Sequence, residues 1–149
     1  MIVDQLLATL QGMLQENIEL KHILNDKSLA KLGDALINFV YSISKSLVTG
    51  TFSGEKVSDR ALAEALRNTS LRKEARTRSS VDDLGDSVEA FCAYLWISKI
   101  ITIEEMVDII SNTIKGMDLS YHKAAKAAEK HAFIALINEL LKIKTITQI

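Results

Sequence analysis

Proline is absent from the 149-residue chain, glycine occurs six times and cysteine once. Without proline, and with so little glycine, the tight turns of β-sandwiches and hairpins lack their usual residues, and an aromatic content of 5% removes the other common material of sheets. The composition therefore predicts an all-α fold. The lone Cys92 permits no intramolecular disulfide, and a structural zinc cage needs several thiolates or histidines at short spacing. Cys92 sits in an apolar run and reads as an inert core thiol. No apolar run approaches the roughly 18–20 residues that cross a bilayer, which excludes a transmembrane chain. The opening MIVDQLLATLQGMLQE lacks a basic leader and meets acids early, so neither a signal peptide nor a mitochondrial presequence fits, and a cytoplasmic protein is expected. Positive charge is not in excess either: 18 Lys and Arg face 19 Asp and Glu. Any contact with nucleic acid must then be a local patch.

What the chain does have is 48% hydrophobic and 25% charged residues, the balance of one globular domain spanning residues 1–149. Val3, Leu6, Leu7, Leu10, Met13, Leu14, Ile18 and Leu24 recur at helical spacing and predict a first helix packed on a core. Asp26 or Ser28 can cap a second helix whose face carries Leu29, Leu32, Leu36, Phe39, Ile43 and Leu47. Gly50 and Gly54 open a loop over roughly 49–57. A shorter helix follows Ser58, and Thr69 or Ser70 can start another. Ser79 and Ser80, three residues before Asp82 and Asp83, resemble a capping box that opens a helix apolar on every side at AFCAYLWI, the pattern of central burial. Thr102 and Glu105 have capping-box spacing, Gly116 suits a left-handed helix end, and Asp118 can cap a last helix with a small face of Ala125, Ala128, Ala132 and Leu136.

At roughly 100° per residue, Asp82, Asp86, Glu89 and Ala93 fall within about 60° of one another, so three carboxylates share a stripe that can hold Mg²⁺. Gly85 and Ala90 beside them leave room for another element. By periodicity alone Asp34, in KLGDALINF, faces solvent with Lys27, Asn38, Tyr41 and Lys45. Basic residues concentrate at Arg67, Arg72, Lys73, Arg76 and Arg78 against the single acid Glu74, and Lys123, Lys126 and Lys130 share a stripe on the last helix. These patches can contact phosphates without reading bases. Residues 82–108 carry seven acids and only Lys99, so the two signs of charge are segregated along the chain.

Taken together, Leu32-Gly33-Asp34-Ala35 and Gly85-Asp86-Ser87-Val88-Glu89-Ala90 resemble the endonuclease domain of ribonuclease III, whose signature pairs an LGDA-type helix with a second helix reading D-x-x-E-A. The resemblance covers roughly residues 28–112 and is to the small standalone form without a double-stranded-RNA-binding domain, as in some archaeal relatives. It implies a Mg²⁺-dependent endoribonuclease, with Mn²⁺ as a possible substitute, that acts as a homodimer on double-stranded or structured RNA and leaves 5′-phosphate and 3′-hydroxyl ends. It assigns Asp34, Asp86 and Glu89 as metal-binding and catalytic acids. The chain departs from the family where glutamates are expected one and nearly two turns before Asp34: it has Ala30 and Lys27. That departure keeps open a non-catalytic RNA-binding or dimerisation module of the same fold.

Other templates fit less well. Gly50-Thr51-Phe52-Ser53-Gly54-Glu55-Lys56 matches neither a phosphate loop nor a nucleophile elbow. His22, His122 and His131 have no partnered nucleophile at recognisable spacing. Glu104, Glu105 and Asp108 resemble the paired acids of all-α nucleoside triphosphate pyrophosphohydrolases, a minor alternative because capping already explains Glu105.

Overall fold

The computed structural model describes residues 2–143, except the side chain of Val3. All regular structure among them is helical: α1 (Ile2–Gly12), α2 (Leu20–Leu24), α3 (Lys27–Thr49), α4 (Asp59–Arg67), a 3₁₀ turn at Ser70–Glu74, α5 (Val81–Ile97), α6 (Ile103–Ile114) and α7 (His122–Leu141). None of these helices is long and apolar enough to cross a membrane.

The caps explain most helix starts. Asp26 accepts the Leu29 N–H at 3.0 Å, Ser58 the Ala61 N–H at 3.1 Å, and Ser80 with Asp83 forms the full reciprocal box at the head of α5. Thr102 accepts the Glu105 N–H at 3.0 Å. Gly50 closes α3 at φ 73, and Gly116 follows α6 at φ 83, both in the left-handed region where a Cβ is penalised. Asp118 does not cap α7. Its carboxylate takes the Ser120 N–H and hydroxyl instead, and α7 starts after Tyr121.

The apolar run of α5 is the centre of the molecule. Ala90, Phe91, Cys92, Ala93 and Leu95 are fully buried, with α3 and α4 packed against the helix. The Cys92 thiol is pushed up to about 12 by burial and then by the charge of Glu89, which leaves no thiolate to react. Phe91 and Phe133 are the largest fully buried side chains, each contributing about 1.5–3 kcal/mol by leaving water. On α7, Ala128, Ala132 and Leu136 form the small face that lets this helix close on the bundle.

Two expectations need correction. The first helix stops at Gly12, the chain turns through Asn17 at φ 53, and Leu6 and Met13 are exposed, while Leu10, Leu14 and Ile18 pack against the cluster of Ile23, Leu29, Ala93 and Ile97. In α3 the buried face is Leu29, Ala30, Gly33, Leu36, Ile37, Val40, Tyr41 and Ser44, while Leu32, Phe39 and Leu47 are exposed. The helix is rotated from the orientation its apolar stripe predicts. Packing on α5 decided the face, because α3 is apolar over more than one stripe and periodicity could not choose between them. The rotation carries Asp34 from the solvent side to the edge of the α3–α5 contact.

Candidate functional site

Two glycines set the depth at which α5 lies between its neighbours. A Cβ built on Gly33 would overlap the backbone carbonyl of Glu89, so α3 and α5 touch backbone to backbone at that point. A Cβ on Gly85 would lie 2.9 Å from Oδ1 of Asp59, the first residue of α4. These close approaches gather Asp34 from α3, Asp86 and Glu89 from α5 and Asp59 from α4 around one cleft of about 300 Å³, whose wall also includes Lys27, Ala30, Lys31 and Lys56. The three acids assigned from the sequence therefore share a cleft although Asp34 is distant from the other two in the chain. Asp82, the remaining acid of the stripe, is exposed beyond it.

Local hydrogen bonds position each group. Ser87 Oγ donates to the Leu24 carbonyl at 2.7 Å and ties α5 to the end of α2, just before α3 begins. Asn38 Nδ2 donates to Asp34 at 3.1 Å, while its Oδ1 accepts the Val57 N–H at 2.9 Å. Ser42 Oγ accepts the Glu55 N–H at 2.8 Å. The loop after α3 is thus laid back along the helix, and Lys56 reaches Asp34 at 2.5 Å. Glu129, buried on α7, accepts the Ser58 N–H at 3.2 Å and fixes the turn that leads into Asp59.

Four carboxyl groups share the cleft with three lysines. Glu89 is 3% exposed. Burial above all, then the charge of Asp34, push its carboxyl up to about 8, so at neutral pH it keeps its proton and donates it to the Asp34 carboxylate. Asp34 is held below the usual range chiefly by Lys56. Asp59 is raised by burial and by the charges of Asp82 and Asp86. Lys27 Nζ lies 2.6 Å from Asp83 and 2.8 Å from Asp86, and holds Asp83 down at about 2.

Glu89 makes the stability of the protein depend on pH. Its folded-state value of about 8 lies above the ordinary 4.5, so folding favours the neutral acid. Stability from this group is complete below about pH 4.5 and lost as pH rises through about 8. In chelator, urea unfolding should show the protein losing a few kcal/mol between about pH 5 and 9. Glu89→Gln should flatten that loss. An unchanged pH slope in the variant would show that Glu89 is not the titrating group.

Four carboxylates around a cleft are hard oxygen donors of the kind Mg²⁺ and Mn²⁺ take, and the shared proton marks a deficit of cation. The donor chemistry fits a divalent ion. The side-chain arrangement is different: among the described residues no group of three or more His, Cys, Asp or Glu is disposed to hold one. Lys27 and Lys56 engage Asp86 and Asp34 instead.

Basic residues form a second feature. Lys123, Lys126 and Lys130 line a pocket of about 540 Å³ with Arg60, His122 and Ser58, and Glu64 is the one carboxylate in its wall. Lys126 also pairs with Glu129 at 2.9 Å. This pocket and the acidic cleft lie on the two sides of the first turn of α4: Lys56 and Asp59 face one, Ser58, Arg60 and Ala61 the other. Arg67, Arg72, Lys73, Arg76 and Arg78 are elsewhere, from the far end of α4 into the segment before α5. Arg72 is engaged there in donating to the Arg76 and Thr77 carbonyls at 3.0 and 3.2 Å.

Asp59 and Arg60 are the site residues that sequence reasoning missed. An acid and a base just after a Ser cap read as ordinary first-turn residues, and only Gly85 hinted that something approaches α5 there.

The family model described as Ribonuclease III matches residues 27–146. A comparison with curated proteins finds no match.

Proposed function

This chain belongs to the ribonuclease III family, and from that premise we propose that it is an endoribonuclease acting on double-stranded or structured RNA with Mg²⁺, or Mn²⁺, as cofactor. The observation that carries the reading is the convergence of Asp34, Asp86 and Glu89, joined by Asp59, in one cleft. Asp34, Asp86 and Glu89 would hold the ion. Bound there, a divalent ion supplies charge stabilisation for a phosphodiester and a water nucleophilic at neutral pH. The chain's own contributions are orientation and electrostatics. Asn38 fixes the Asp34 carboxylate, Ser87 fixes α5, and Glu89 would release its proton to solvent on binding a cation.

RNA binding is supported by the basic pocket next door. A strand whose phosphates rest on Arg60, Lys123 and Lys130 crosses the first turn of α4 towards the carboxylates. Arg60→Ala/Lys123→Ala/Lys130→Ala should weaken duplex binding for every sequence and lower the slope of log affinity against log salt by roughly 2–3. Lys126 is left in place because it pairs with the buried Glu129. An unchanged slope would remove this pocket from the RNA-binding surface.

The non-catalytic alternative is favoured by Ala30 and Lys27, which put a methyl group and a cation where the family has carboxylates. Wild-type protein that binds duplex RNA and leaves it uncut in both Mg²⁺ and Mn²⁺ would decide for that module. Protein that neither binds nor cuts would refute both readings. A two-fold homodimer belongs to the proposal too. Its support is an exposed apolar patch comprising Phe39, Leu47 and Phe52.

A further inference from the structure

The acidic cleft carries its own cations. Lys27, at the first position of α3, extends its ammonium between Asp83 and Asp86, and Lys56 pairs with Asp34. Both contacts engage carboxylates that the proposed ion needs. Ala30, one turn before Asp34, leaves the space between them without a further donor. Lys31 lines the same cleft, and no ion pair with a carboxylate is seen for it among the described residues.

We infer that Lys27 is a built-in competitor of the divalent ion, which binds only as the ammonium is displaced from Asp86. The inference rests on the metal-dependent reading above. Its physical basis is that one carboxylate cannot satisfy an ammonium at 2.8 Å and a small divalent ion at about 2.1 Å in the same direction without bringing the two cations together. The Lys27 and Lys56 side chains are 56% and 67% exposed, so either can swing into water without leaving a buried charge behind. Displacement is therefore feasible, and its cost appears as weakened metal affinity. With the lysines engaged, the cleft stays close to neutral. Lys56 acts on Asp34 in the same sense, but Lys27 bridges two acids and is the stronger case.

The test is direct Mn²⁺ titration of the full chain by calorimetry or by the spectrum of free Mn²⁺, with no RNA present. Lys27→Met should bind Mn²⁺ roughly three- to tenfold more tightly than wild type, whereas Lys31→Met, with the same loss of charge in the same cleft, should change affinity by less than about twofold. Lys27→Gln should match Lys27→Met, which guards against a folding artefact of either residue. In wild-type protein, Mn²⁺ should also raise the acetylation rate of the Lys27 amine and leave that of Lys31 unchanged, because displacement frees the first and not the second. Equal affinities for wild type and Lys27→Met, or an equal gain in Lys31→Met, would overturn the inference while the metal-dependent reading stands. Absence of Mn²⁺ binding in wild type and Lys27→Met alike would overturn both.

Discussion

Asp86→Asn is expected to slow cleavage of duplex RNA on the order of 10²–10³-fold or more, while duplex affinity stays the same or tightens. Asparagine keeps the shape and one oxygen of the side chain but not the charge, so the loss reports on the electrostatic work of the carboxylate rather than on packing. The side chain is 35% exposed, and its partner Lys27 keeps Asp83. The fold therefore has no reason to fail. Binding is preserved because removing a negative charge near phosphate lowers repulsion. Asp108→Asn, an exposed acid on α6 away from the cleft lining, should leave cleavage within about twofold of wild type. Single-turnover cleavage and filter binding on the same preparations separate the two effects. An Asp86→Asn protein that cuts at the wild-type rate would end the assignment of this cleft as the catalytic site.

Gly33→Ala should destabilise the protein by more than about 3 kcal/mol, or prevent it from folding, although it replaces a residue inside a helix with the best helix former. In an exposed helix the same change would stabilise by about 1 kcal/mol, so the sign alone is informative. Here the new methyl would overlap the Glu89 carbonyl, and backbone cannot rotate aside as a side chain can. Relief requires α3 and α5 to separate, which opens the contacts among Leu36, Ile37, Val88 and Phe91 at the centre of the core. Gly12→Ala is the matched control. Its Cβ would meet nothing within 4 Å, and its effect should stay within about 0.5 kcal/mol. Urea unfolding of the two variants at one pH makes the comparison. A Gly33→Ala protein as stable as wild type would show that the two helices do not meet at backbone distance.

The helix starts were legible because they depend on a few residues: Asp26, Ser58, Ser80 and Thr102 all cap as their spacing suggests. The burial of α5 was legible for the opposite reason, since a segment apolar all round has one environment open to it. The face of α3 was not. Leu32, Phe39 and Leu47 compete with Ile37, Val40 and Tyr41 for the core, and the choice is made by where α5 fits against Gly33, a contact distant in sequence. Periodicity accordingly places Asp34 in solvent, whereas the family resemblance groups it with Asp86 and Glu89, with which it lines one cleft. Asp59 escaped both routes because its neighbours in space are Gly85, Asp82 and Asp86, none of them near it in the chain.

The two side-chain-free notches divide the surroundings of the cleft into a frame and a lining. At Gly33 and Gly85 the spacing of the acids and the integrity of the core are one property, so a lineage that altered the first would forfeit the second. At Lys27, Ala30, Lys31 and Lys56 the residues face the cleft without setting the distance between helices. Substitution here is thus channelled: charge at the rim can change sign while the carboxylates stay where they are. A chain that had given up catalysis would keep the shape of its site long after losing the use of it.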